Sequence, residues 1–286
     1  PTICNALDIA SPDRRSIGFT TKSLVPVGIH GSVCGYVKTA KISGECLKNK
    51  HVVVIIQART DSRRLPKKVL STIKGKSLLW HVIDRTKHFD CDDIVVATTK
   101  RKIDDEIVSI SKASSVKFFR GKKNDVLDRY YQAAIKFNAE IIVRITSDCP
   151  LIDPKIVQMV LKKFQKGSYD YVATDDETYP KGVDVECFSF NSIKKSWLHA
   201  KLKSDREHVT SFIWRNTGIF KTGKLYYKSN FTKPVRLVVD HKNDLELVRK
   251  IYANLYKKNK IFFLDDVIRL VKAKPELLEM NTDHNP

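Results

Sequence analysis

The sequence predicts an α/β fold built on a mainly parallel sheet. Residues 52–56 (VVVII) are an unbroken apolar, β-branched run, as expected of a strand covered on both faces. Comparable runs recur at 94–97 (IVVA) and 141–145 (IIVRI). Between them lie amphipathic stretches of about 10–12 residues, so strands and helices alternate as βαβ units require.

The elements follow in order. Residues 77–88 read as a helix, with Leu78, Leu79, Val82 and Ile83 on one side. After the strand at 94–97 come a helix at 103–113, a short strand at 116–119 and a helix at 126–137, where Leu127, Tyr130, Tyr131 and Ala134 fall at helical spacing. The strand at 141–145 precedes a helix opened by Pro154 and running to about residue 164, since proline suits a first turn. Residues 171–174 and 184–190 (DVECFSF) read as strands, the second antiparallel with one polar face. Helices are expected at 191–200, 205–215, 243–256 and 264–272, with a buried strand at 235–239. The first 49 residues differ: they hold five of the 11 glycines, and short runs at 16–21, 24–29 and 33–42 suggest either small strands or a disordered leader. Residues 1–49 are therefore read as an unassigned appendage and 50–286 as the main domain.

Composition narrows the classes. With 42% hydrophobic residues the chain can bury a core, which excludes disorder for most of it. No apolar run reaches the roughly 18–20 residues needed to span a bilayer. The first residues include Asp8 and Asp13 and no apolar block, so no secretory signal is expected. Six scattered cysteines without a CxxC pair point to reduced thiols in a cytoplasmic protein. The net charge of +20 calls for a polyanionic partner without saying which.

In open α/β sheets ligands gather beyond the carboxyl ends of the strands. Five cations, Arg59, Arg63, Arg64, Lys67 and Lys68, fall within one ten-residue stretch after the first strand. They suit a triphosphate, or else make a solvated basic loop. Asp148 and Asp240 each stand just beyond an apolar run, and two such carboxylates can hold Mg²⁺ with phosphate oxygens. The alternative for Asp240 is capping of the next helix, and Asp153 before Pro154 reads more simply as a cap. Residues 179–186 (YPKGVDVE) and 204–210 (SDREHVT) mix carboxylates with donors, as a hydroxyl-rich ligand requires. His208 reads either as a general base or as a hydrogen-bonded structural residue.

These motifs resemble a known family. Residues 57–70 (QARTDSRRLPKKVL) are similar to the opening motif QARMGSTRLPGKVL of the cytidylyltransferases that activate acidic sugars, most closely the spore-coat polysaccharide branch. The resemblance continues in family order through 119–121, 125–131, 144–154, 179–186, 206–210 and 239–246, covering roughly residues 52–281. It implies a Rossmann-like nucleotidyltransferase sheet (GT-A-like) and Mg²⁺-dependent transfer of CMP from CTP to a sugar hydroxyl with release of pyrophosphate. By position it implies that Arg59, Ser62, Arg64 and Lys68 hold the triphosphate, that Ala58 binds the nucleotide, and that Gly121 and Asp125 form the nucleoside pocket. It further implies that Asp148 and Asp240 hold Mg²⁺, and that Tyr179, Asp184, Glu186, Glu207 and His208 line the sugar pocket. Two family glycines are replaced, by Asp61 and Lys67. Asp61 would ligate a metal or pair with Arg63.

The expected partners are CTP and an acidic sugar of the ulosonic type, with no specific nucleic acid and no membrane. A homodimer is a further expectation, for which residues 184–190 would supply an edge strand. The rival readings are a glycosyltransferase or other sugar nucleotidyltransferase on the same sheet, and a basic nucleic-acid-binding module without catalysis. The chain carries no RNP-like or helix-turn-helix signature for the last.

Overall fold

The computed structural model describes residues 50–228, 235–258 and 260–281. The expectations for residues 1–49 lie outside these. A seven-stranded sheet forms the centre. The first strand, β1 (Val52–Gln57), is followed by a two-strand hairpin of β2 (Thr72–Ile73) and β3 (Lys76–Ser77), the helix α1 (Leu78–Thr86), β4 (Asp93–Thr99), α2 (Asp105–Ala113) and β5 (Lys117–Gly121). Then come α3 (Val126–Lys136), β6 (Ile141–Thr146), α4 (Pro154–Lys166), β7 (Tyr171–Thr174) and β8 (Glu186–Ser189). The last elements are α5 (Phe190–His199), α6 (Lys203–His208), α7 (Ser211–Arg215), β9 (Thr222–Leu225), α8 (Lys242–Leu255), α9 (Leu264–Ala273) and α10 (Glu276–Glu279).

The sheet order is β5-β4-β1-β6-β8-β7-β9. β5, β4, β1 and β6 pair in parallel, while β8 runs antiparallel to both β6 and β7. Alternation along β1 explains the double burial. Val52, Val54 and Ile56 join one core with α1, α4, α8 and α9; Val53 and Ile55 join the other with α3 and α7. Val53 to Ile56 are wholly inaccessible, and each such side chain contributes about 1.5–3 kcal/mol.

Caps set the helix ends. Ser77, Asp125, Asp153 and Ser189 accept from the backbone amides of Trp80, Asp128, Lys155 and Ser192. The hairpin turns at Lys74 and Gly75, both with positive φ, the geometry that matches strand twist.

Three expectations need correction. Residues 184–190 do not provide an edge strand: β8 lies between β6 and β7, with Cys187 and Phe188 inaccessible. Residues 235–239 are buried except for half-buried Val238, but form no ladder strand. Their backbone bonds loops instead, from Leu237 N–H to Lys181 at 2.6 Å and from Val239 N–H to Asp148 at 2.9 Å. Finally, the single helix expected at 205–215 breaks into α6 and α7 at Val209, an inaccessible residue with φ 64° and ψ −57°. The Thr210 amide reaches back to the His208 carbonyl at 2.6 Å across this turn. A β-branched residue in this conformation stores about 1–3 kcal/mol of strain.

Gly182 shows why the 179–186 motif carries a glycine. Its φ is +102°, and a β-carbon there would lie 2.3 Å from the backbone nitrogen of Val238. Gly182→Ala is expected to lower stability by about 2 kcal/mol or more, measured as the denaturant midpoint.

Candidate active site

The basic loop leaves β1 at its carboxyl end and is pinned before any charge is placed. The Thr60 amide and hydroxyl both donate to Asp104 Oδ1, at 2.8 and 2.7 Å, and Thr99 donates to the other oxygen. Asp104 is buried. Sequence reasoning missed this anchor; its signal was an acidic residue just beyond β4, facing the same crevice. Lys67 then takes a left-handed conformation (φ 57°, ψ 23°), where the family motif has glycine, and starts the short 3-10 turn Lys68–Leu70. Arg63, Arg64 and Lys67 remain exposed, whereas Lys68 turns inward.

Lys68 brings three distant segments together. Its ammonium lies 2.8 Å from Asp148 Oδ2, 2.9 Å from Asp240 Oδ1 and 2.9 Å from the Val239 carbonyl. Asp240 Oδ2 also meets Arg64 at 3.0 Å and Arg236 at 2.7 Å. Burial alone would lower the Lys68 pKa, but the two carboxylates outweigh it and hold the value above the ordinary lysine range. Burial likewise pushes Asp240 up, and Lys68, Arg64 and Arg236 more than reverse this, leaving it below the usual carboxylate range. Asp240 does not cap the following helix. That role falls to Asp244, which accepts from the amides of Asp240 and His241 at 3.0 and 2.8 Å.

The two carboxylates therefore present hard oxygens to one point, with an ammonium as stand-in cation. Such a donor set suits Mg²⁺ completed by waters and phosphates. Among the described residues no group of three or more His, Cys, Asp or Glu forms a ready-made metal cage.

The other candidates fall around this centre. Asp61 pairs with Arg101 and Lys123, both at 2.5 Å, and more loosely with Arg59 at 3.7 Å, rather than with Arg63. Burial would raise its pKa; Lys123 and Arg101 outweigh that and lower it. Ala58 is buried and donates its amide to Ala97, and Ser62 is half-buried in the loop. Gly121 is buried at the end of β5 against Arg129. Asp125 caps α3 and takes a two-pronged bond from Arg206, whose Nη2 lies 2.6 Å away.

Glu186 is a saturated node. It accepts from Arg144, from the Tyr171 hydroxyl at 2.7 Å and from Thr210 at 2.6 Å. Burial would raise its pKa, but Arg144, helped by these hydrogen bonds, lowers it. Asp184 moves the other way. Burial and the charges of Asp176, Glu186 and Asp148 raise it, against one hydrogen bond from the Gly182 amide at 3.0 Å. Tyr179 is buried beside Tyr227, with its pKa pushed up to about 12 by burial. Glu207 and His208 are exposed on α6.

Two substitutions test this geometry. Glu186→Gln leaves the Arg144 guanidinium without its counter-charge and is expected to cost about 3–5 kcal/mol at neutral pH. Because the folded pKa of Glu186 is depressed, its contribution is full above the ordinary carboxylate range and lost as pH falls through the folded value. The gap between wild type and variant should therefore close in acid, read from denaturant unfolding across a pH series. At position 67, Lys67→Gly removes a left-handed lysine and should be neutral or stabilising by about 1 kcal/mol, whereas Lys67→Val should destabilise, measured as thermal midpoints.

Comparison with known proteins agrees with this architecture. The family model described as Cytidylyltransferase matches residues 53–268. The chain is 34% identical over 236 residues to the uncharacterized protein MJ1063 of Methanocaldococcus jannaschii, covering 81% of this chain and 95% of that protein. It is 28% identical to the spore coat polysaccharide biosynthesis protein SpsF of Bacillus subtilis, covering 79% and 95%. A 3-deoxy-manno-octulosonate cytidylyltransferase of Anaeromyxobacter sp. is 34% identical over 121 residues, which is 41% of this chain and 49% of that enzyme. The solved structure of a cytidylyltransferase from Leptospira borgpetersenii superposes with a TM-score of 0.77 at 31% identity, covering 82% of this chain and all of the other. The chain belongs to the cytidylyltransferase family, and it is an enzyme of the nucleotidyltransferase class.

Proposed function

We propose that this enzyme transfers CMP from CTP to a hydroxyl of an acidic sugar of the ulosonic type, releasing pyrophosphate, for surface polysaccharide or glycan synthesis. The observation that carries the reading is the convergence of Lys68, Asp148 and Asp240 beneath a loop bearing Arg59 and Arg64. Members of the family use CTP and a sugar-type acceptor. The acidic acceptor rests on the motif resemblance and on the octulosonate relatives.

In the reaction the acceptor oxygen bonds to the α-phosphorus of CTP. The bond from that phosphorus to the bridging oxygen of the β-phosphate breaks, pyrophosphate departs and the hydroxyl proton passes to solvent. Arg59, Arg64 and Lys68 lower the cost of gathering negative charge on the reacting phosphate and on the leaving group. Holding the acceptor in line contributes as much as any proton transfer. Asp148 and Asp240 would hold Mg²⁺, which supplies further positive charge at the phosphates. We place the reaction in the cytoplasm, which suits the free thiols of Cys91, Cys149 and Cys187. Among the described residues no helix is long and apolar enough to cross a membrane.

The test is a pyrophosphate-release assay with CTP, Mg²⁺ and a panel of acidic sugars. Asp148→Ala is expected to lower turnover by about 10²–10³-fold or more. CTP should raise the thermal midpoint of the wild type; the absence of stabilisation by any nucleotide would sink the reading.

A further inference from the structure

Asp148 and Asp240 are already neutralised from within. All three protons of the Lys68 ammonium find acceptors: Asp148, Asp240 and the Val239 carbonyl. The second oxygen of Asp240 is taken by Arg64 and Arg236. Two negative charges thus face three positive ones. A bare divalent cation arriving at the same oxygens would have to expel the ammonium and sit beside two guanidinium groups. A triphosphate changes the balance, because its oxygens offer Lys68 and Arg64 new acceptors. The backbone of Lys68 is held, with its amide bonded to Leu65 and its carbonyl to Ser71, so the exchange needs only the flexible side-chain stem to move.

We propose that Lys68 is a resident placeholder: it fills the cation seat between Asp148 and Asp240 in the nucleotide-free protein and vacates it only when nucleotide phosphates receive its charge. Nucleotide and divalent metal then bind with positive coupling carried by one side chain, and by reciprocity each raises the affinity for the other. This rests on the reading of Asp148 and Asp240 as the metal-holding pair.

The experiment measures binding of Mn²⁺ alone, by its paramagnetic resonance signal, to wild type, Lys68→Met, Lys68→Arg and Asp148→Asn, all without nucleotide. Lys68→Met is expected to bind Mn²⁺ about tenfold or more tightly than wild type. Lys68→Arg keeps the internal charge and should bind as weakly as wild type. Equal or weaker binding by a folded Lys68→Met overturns the placeholder. If Lys68→Met gains nothing while Asp148→Asn loses affinity, the metal-holding pair stands and the placeholder alone falls. If a double variant, Lys68→Met with Asp148→Asn, binds Mn²⁺ as tightly as Lys68→Met alone, both fall.

A second readout needs no methionine variant. In the wild type the side-chain ammonium resonance of Lys68, assigned by its loss in Lys68→Arg, should hold its position when Mg²⁺ alone is added. It should shift when CTP is added with Mg²⁺. A shift with Mg²⁺ alone also overturns the proposal.

Discussion

The structure depends on one constraint: β1 and β6 are apolar on both faces and paired on both edges. A strand in that position has no surface of its own, so polar chemistry can appear only where it ends. β1 ends in the basic loop, and β6 runs to Asp148. Neither feature could sit at mid-strand without an uncompensated charge in the core. Arg144 is the instructive exception. It lies on β6, one residue before Ile145, and is tolerated because Glu186 on the neighbouring strand meets it directly.

That pairing shows how sheet order decides chemistry. The antiparallel insertion of β8 beside β6 sets Glu186 opposite Arg144, and Tyr171 on β7 completes the node. The segment at 235–239 performs a similar service without being a strand. Its contacts with Lys181 and Asp148 carry Asp240 to the loop. The close approach at Gly182 is what lets this segment lie so near.

Much of the architecture was legible because β-branched runs and helical spacing are local signals. The runs at 52–56, 94–97 and 141–145 and the cap at Asp153 needed no tertiary knowledge. What escaped depends on partners. Residues 235–239 show the apolar pattern of a strand, but their partners are loops, which no periodicity reveals. The break at Val209 is invisible because valine is among the least expected residues at positive φ. In the site, residue types were readable from spacing, while contacts were not. Lys68 meets Asp240 across 172 positions of chain, and Arg206 meets Asp125 across 81. Asp61 was misread for a related reason: its cationic neighbours in sequence, Arg59 and Arg63, are not its nearest in space, which are Arg101 and Lys123.

Asp61 has a consequence beyond charge balance. A loop of ten residues rich in long cationic side chains repels itself and samples many shapes. By clasping Arg101 and Lys123 on two other loops, Asp61 ties this one down while the protein folds. The entropy of ordering the loop is then spent during folding instead of at ligand capture. A glycine at that position would let backbone approach a phosphate more closely but would leave the loop to be ordered by its guest. The aspartate exchanges adaptability for preorganisation.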